Sequence, residues 1–163
     1  MKDEFLQHCH DNNLEGVTDC LSRGVDVNTV SLDGEWSGLT IAAKKNYIEL
    51  LEILLSHPHI QTSCNVSALK EACARGNSAI VSRLVQVPGL DINYQDLHGI
   101  TAARMAVTNG RTECVRILAE TDRVDWNKGR PPPLYRALER GHSDIVDIIV
   151  QQSNIRAVHR PTP

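Results

Sequence analysis

The chain repeats itself, and that cadence limits its possible folds more than any other feature. Four segments carry a small residue followed four positions later by Gly or Asn: Ala42 with Asn46, Ala72 with Gly76, Ala106 with Gly110, and Ala137 with Gly141. His8 with Asn12 forms a degenerate first copy. Successive anchors stand 34, 30, 34 and 31 residues apart. A period of that size belongs to arrays of stacked supersecondary units, in which each unit is stabilised only by its neighbours.

Each copy divides in the same way. A short helix comes first, as in Ser67-Ala-Leu-Lys-Glu-Ala-Cys-Ala-Arg75, and Gly76 supplies the left-handed turn that ends it. A second helix follows with apolar residues at i, i+1, i+4 and i+5: Leu50, Leu51, Leu54, Leu55; Ile80, Val81, Leu84, Val85; Ile145, Val146, Ile149, Val150. That is one stripe at helical spacing. The connections read as extended: Gly24-Val-Asp-Val-Asn28, Gly89-Leu-Asp-Ile-Asn93 and Val124-Asp-Trp-Asn127. Short β-branched stretches beside Asp, Asn and Gly suit hairpin-like fingers but are too short for a sheet. The architecture is therefore expected to be all-α.

Composition narrows the function classes. With 163 residues, 41% of them apolar, the chain can fold as one ordinary domain. No run approaches the length of a membrane span, and Met1-Lys-Asp-Glu-Phe5 lacks a secretion signal's apolar core. A net charge of −3 and six aromatic residues argue against a general nucleic-acid binder. Five cysteines without CxxC spacing fit reduced thiols in the cytoplasm or nucleus.

The segments resemble ankyrin repeats, whose helical motif reads T-P-L-H-x-A and whose loop closes with G-A-D-V-N. The matches are Thr101-Ala-Ala-Arg-Met-Ala106, Pro132-Pro-Leu-Tyr-Arg-Ala137, Ser67-Ala-Leu-Lys-Glu-Ala72 and Ser37-Gly-Leu-Thr-Ile-Ala42, with loops at Gly24–Asn28 and Gly89–Asn93. The resemblance covers roughly residues 4 to 152. It implies a solenoid of about five helix-turn-helix repeats joined by short β-hairpin-like fingers. The repeats fall near 1–30, 31–62, 63–95, 96–127 and 128–152, with a flexible tail at 153–163. Two turns depart from the pattern: Ser56-His-Pro-His-Ile-Gln-Thr62, which lacks Asp-Val-Asn, and the Pro-rich finger before Pro133.

In this register Cys9, Ala43, Cys73, Val107 and Leu138 share one core position, and Cys20, Leu54, Leu84, Leu118 and Ile149 share another. The thiols at Cys9, Cys20, Cys73 and Cys114 then read as small apolar core groups. The first copy is a polar cap. The last has internal character, so the chain is expected to be a piece of a longer protein, or to cover that face with its tail or a partner.

Sites for chemistry are scarce. Cys9 beside His8 and His10, or Cys64 near His57 and His59, could form a Cys–His nucleophile pair, but neither sits in a nucleophile motif. Zinc would want paired ligands in both halves of a site; neither His8, Cys9, His10 and Cys20 nor His57, His59 and Cys64 supply them. No phosphate-binding glycine loop occurs. Asn65-Val-Ser67 is a glycosylation sequon by pattern only. No cofactor, metal or catalytic residue is expected.

The resemblance implies a concave groove lined by finger tips and first helices. First helices carry Lys44, Lys45, Lys70, Arg75, Arg104, Arg136 and Arg140, and the last finger adds Lys128 and Arg130. Second helices carry Glu15, Asp19, Glu49, Glu52, Glu113, Glu120, Asp144 and Asp147 against mainly Arg83 and Arg116. A positive groove would steer an acidic partner. The expected partner surface is Trp36, Lys44, Lys45, Arg75, Leu97, His98, Ile100, Arg104, Lys128, Arg130, Tyr135 and Arg140, with Trp36 as an aromatic anchor. The leading expectation is a non-catalytic protein-binding module, monomeric or part of a larger chain. The alternatives are a phosphate-rich ligand in the groove and, less favoured, a thiol hydrolase at Cys64.

Overall fold

The computed structural model describes the backbone of residues 1–158, and the side chains of that span except at 62–64 and 153–158. Ten helices stand among the described residues: α1 Lys2–His10, α2 Leu14–Ser22, α3 Gly38–Lys45, α4 Ile48–Leu55, α5 Thr62–Arg75, α6 Ser78–Leu84, α7 Ala102–Thr108, α8 Thr112–Glu120, α9 Pro133–Arg140 and α10 Ser143–Val158. Odd-numbered helices pack on one another in sequence, α1 on α3, α3 on α5, α5 on α7 and α7 on α9. Even-numbered helices form a second row, α2 to α10. The result is a helical solenoid two layers deep, as the cadence requires.

The sequence anchors explain the local structure. The residues four past each anchor, Asn12, Asn46, Gly76, Gly110 and Gly141, all have positive φ, between 54° and 82°. In every copy the anchor's carbonyl accepts a hydrogen bond from the N–H five residues on: Asn13 to His8, Tyr47 to Ala42, Asn77 to Ala72, Arg111 to Ala106 and His142 to Ala137, at 2.8–3.0 Å. This is the six-to-one bond that closes a helix at a left-handed residue. Gly76 has a second reason to be glycine. An added Cβ would sit 2.9 Å from Cδ of Arg111, whose guanidinium donates to the Ala74 carbonyl of the preceding repeat.

Helix starts are equally local. Ser37 and Thr40 form a reciprocal capping box on α3, and Thr101 accepts from the Arg104 N–H on α7. The core then follows the register. Cys9, Ala43, Cys73 and Val107 are fully buried, as are Cys20, Leu54, Leu84, Leu118 and Ile149 to within 1%. Each buried Leu or Ile contributes about 1.5–3 kcal/mol by leaving water.

Four features differ from expectation. Leu138, grouped with Cys9 and Val107, is 61% exposed, because no described helix stacks beyond α9. The third copy's first helix starts at Thr62 rather than Ser67, so α5 replaces the finger between the second and third repeats. The fingers themselves hold almost no β structure: Val30 and Ser37 form the one isolated bridge among the described residues. At the carboxyl end, α10 runs past Gln152 to Val158; residues 159–163 of the expected tail lie outside the described residues.

The loop asparagines bind repeats together. Asn28 donates to the His59 carbonyl at 2.8 Å and accepts from the Gln61 N–H at 2.8 Å. Asn93 does the same two repeats further on, to the Arg123 carbonyl and from the Asp125 N–H. Asp26 and Asp91 preset these loops by accepting from the backbone N–H of Asn28 and Asn93.

Candidate interaction surface

Three clefts line the face made by the odd-numbered helices and the fingers. One lies between α1, the finger at 31–36 and α3; a second between that finger, α3 and α5; a small third between α5, the loop at 91–94 and α7. Even-numbered helices contribute no residue to them.

Of the expected surface residues, Trp36, Lys44, Lys45 and Ile100 line these clefts; the others sit on odd-numbered helices or fingers outside them. Lys45 serves the fold: its Nζ donates to the His10 carbonyl at 2.9 Å and lies 3.0 Å from His10 Nδ1, closing the end of α1. Lys70 is paired with Asp96 at 2.9 Å, and Arg136 with Glu139 at 2.7 Å. By contrast, Lys44, Arg75, Arg104, Lys128, Arg130 and Arg140 have no carboxylate within ion-pair distance among the described residues. On the other row, Arg83 grips Glu52 with both carboxylate oxygens in reach, and Arg116 meets Glu113. The cations without a carboxylate partner named here therefore sit on odd-numbered helices and fingers, while the two arginines named for the other row are paired.

Asp96 organises the finger after Asn93. Its carboxylate accepts from the backbone N–H groups of His98 and Ile100 at 2.9 Å, as well as from Lys70. Burial raises its pKa, but the Lys70 ammonium and the two N–H groups outweigh that and bring it to about 2. The finger so held presents Leu97 fully to solvent, with His98 exposed beside it and Ile100 half-buried. Arg130 lies next to this finger: a Cβ on Gly99 would be 3.8 Å from its Cγ. Arg104 similarly runs along Gly129. Leu97, His98, Arg104, Lys128 and Arg130 thus form one neighbourhood. Tyr135, 58% exposed, and Arg140, also exposed, extend it along α9.

A separate neighbourhood surrounds Trp36. Its indole is half-buried, and the Lys44 ammonium stands 4.0 Å from the ring centroid. The adjoining cavity holds about 640 Å³. Leu6, Leu32, Trp36 and Ile41 supply its apolar walls. Leu32, wholly exposed at the finger tip, corresponds to Leu97 in the later finger, since Gly34 N–H to Ser31 and Gly99 N–H to Asp96 close the two turns alike. Aligning Ser31-Leu-Asp-Gly34 with Asp96-Leu-His-Gly99 is the signal that could have found Leu32 in the sequence. Asp33 lies on the rim, its pKa lowered by the Ser31 hydroxyl and by the Glu35 N–H.

The candidate chemistry fares differently. Cys9, Cys20, Cys73 and Cys114 are buried free thiols. Burial, with Cys20 nearby, pushes the Cys9 thiol up to about 12. Burial also raises Cys73, and Cys114 to about 11. A nucleophile needs the opposite shift. The His57 and His59 rings meet at a tilt of 57° with centroids 5.8 Å apart; the Cys64 side chain lies outside the described residues. Glu4, His8 and Cys20 bring possible ligand atoms within 4.8 Å of one another. However, Asn13 Oδ1 accepts from the Gly16 N–H, so its Nδ2 is the atom 3.1 Å from His8 Nδ1. That contact already occupies one of the two ring nitrogens through which His8 could hold a metal. Asn65 of the sequon is fully buried, and its amide has no hydrogen-bond partner among the described residues.

Stacked helix pairs with a cleft-bearing, unevenly charged face define a repeat-built protein-interaction module. The chain belongs to the ankyrin-repeat family: the family model for ankyrin repeats in three copies matches residues 5–96 and again 69–159. Similar curated proteins include cortactin-binding protein 2 of Rhinolophus ferrumequinum, 39% identical over 126 residues, and of Mus musculus, 35% identical over 104. That of Dasypus novemcinctus is 32% identical over 125 residues. These alignments cover 75%, 61% and 72% of this chain but only 6–7% of each relative.

Proposed function

We propose that this chain is a non-catalytic adaptor or scaffold module that holds an acidic segment of another protein against the face built by its odd-numbered helices and fingers, in the cytoplasm or nucleus. The observation that supports this reading is that Arg75, Arg104 and Arg130, on odd-numbered helices and a finger, have no carboxylate within ion-pair distance among the described residues, while Arg83 and Arg116 on the even-numbered row are paired. Unpaired guanidinium groups remain available for paired hydrogen bonds to carboxylates. A preformed solenoid loses little ordering entropy on binding, which favours recognition over catalysis as its use.

Charge reversal tests it. Arg75, Arg104 and Arg130 changed together to Glu should abolish capture of the bound partners from lysate, whereas reversing Glu49 and Glu113 should not. The opposite pattern would move the binding face to the even-numbered helices. Purified cortactin is a natural first probe, since the relatives carry its name, and binding that collapses with modest salt would mark a charge-driven contact.

A further inference from the structure

The cavity beside Trp36 has more character than a charged face requires. It is large enough for a bulky side chain, since ligand pockets begin at about 300 Å³. Its apolar walls come from three separate pieces of the chain: Leu6 on α1, Leu32 on the finger, Ile41 on α3. Leu32 is wholly exposed, although an apolar residue at a loop tip gains nothing for the fold by standing in water. The charge is also ordered. Asp3 belongs to the first turn of α1 and Asp33 to the finger, while Lys44 and Lys45 end α3 and His10 ends α1. Lys45 bonds His10, so the two helix ends meet. Asp3 and His10 are then separated by about 10 Å along α1 at 1.5 Å rise per residue. Lys45 is committed to His10, which leaves Lys44 as the cation over the indole without a carboxylate among the described residues.

We propose that this cavity is an anchor pocket for a partner peptide in which a bulky apolar residue stands next to an acidic one. The apolar side chain enters between Leu32 and the Trp36 indole; the carboxylate takes Lys44, whose ammonium already stands over the ring. Asp33 is already engaged by the Ser31 hydroxyl and the Glu35 N–H, whereas Lys44 has no carboxylate among the described residues, so a basic neighbour faces a like charge at Lys44 and the pairing of an apolar with an acidic residue is the specificity. This inference rests on the protein-binding reading above and narrows its partner's chemistry.

The two tryptophans make the test direct. Trp126 is 5% exposed and reports on the fold, while Trp36 reports on the pocket. Short Gly/Ser peptides carrying Phe-Glu-Glu, Phe-Lys-Lys or Ala-Glu-Glu are titrated to millimolar concentration while the two indole N–H resonances are followed. The Phe-Glu-Glu peptide should move the Trp36 signal alone, and the other two should bind at least about tenfold more weakly. Lys44→Glu, a change at a partly exposed side chain, should weaken Phe-Glu-Glu by about tenfold and favour Phe-Lys-Lys. Leu32→Ser, at a wholly exposed tip, should weaken both phenylalanine peptides. An unmoved Trp36 signal, or equal binding of Phe-Glu-Glu and Phe-Lys-Lys that ignores Lys44→Glu, overturns the proposal. If that happens while the Arg75, Arg104 and Arg130 reversals still abolish partner capture, only the anchor pocket fails.

Discussion

Asn65 offers the sharpest test of the packing argument. Its side chain is fully buried in the first turns of α5, and neither Oδ1 nor Nδ2 finds a partner among the described residues. An amide taken from water and left unbonded costs about 1–3 kcal/mol. Leucine has the same branching, with methyl groups where Asn has oxygen and nitrogen. Asn65→Leu therefore removes that cost and gains about 0.5 kcal/mol of helix propensity. The larger methyl groups return about 1 kcal/mol as crowding in a packed site. The net expectation is stabilisation by about 1–2 kcal/mol, a rise in Tm of about 2–8 °C for a chain of this size. Asn65→Ala, which cannot overpack, separates the two effects: it should be close to neutral, because the lost contacts offset the lost desolvation cost. Urea denaturation followed by circular dichroism gives both midpoints, and an unchanged m value keeps the comparison valid. If both variants lose more than about 1 kcal/mol, the amide is bonded in solution and the reasoning is wrong.

Three further outcomes are expected. Ala72→Leu inserts methyl groups where α5 meets α3 and α7, and should lower stability by about 1–3 kcal/mol; an unmoved midpoint would show that the register is misread. The Asp96 carboxyl falls from 3.8 to about 2 on folding, so its stabilisation is complete above about pH 4 and is lost as pH drops toward 2. Unscreened, that shift is worth about 2.4 kcal/mol; with Lys70 a third exposed, about 1 kcal/mol is expected. Asp96→Asn should flatten stability between those pH values, and an unaltered acid limb would refute the pairing. Finally, in a Cys64→Ser background no thiol should react quickly with a disulfide reagent until urea unfolds the chain. A fast equivalent under native conditions would contradict the buried-thiol reading.

The repeat, its left-handed turns and its buried register were legible because each is a local rule written several times over. Ala72 and Gly76 mean the same thing as Ala106 and Gly110. What failed to show were the places where a copy breaks the rule. The start of α5 at Thr62 was hidden because Ser67-Ala-Leu matches the family's cap position, whereas the residues ahead of it simply continue the helix. Leu138 follows the pattern in sequence, but burial needs a neighbour on the far side, and a pattern cannot supply one. The surface was half legible. Charge type could be assigned to a face from spacing, but whether Lys45 or Arg75 is free depends on which carbonyl or carboxylate the fold brings near. Lys45 meets His10 across 35 positions of chain, a contact no short-range pattern reports.

The stacking order has a mechanical consequence. Each helix makes its substantial contacts only within its own repeat and with those on either side, and single asparagines such as Asn28 and Asn93 latch one loop to the next. Opening an end unit therefore breaks one set of contacts, whereas opening a central one breaks two. Amide protons in α5 and α7 should outlast those of α1, α2 and α9 in hydrogen exchange, and a chain pulled by its termini should unzip inward, repeat by repeat, rather than yield all at once.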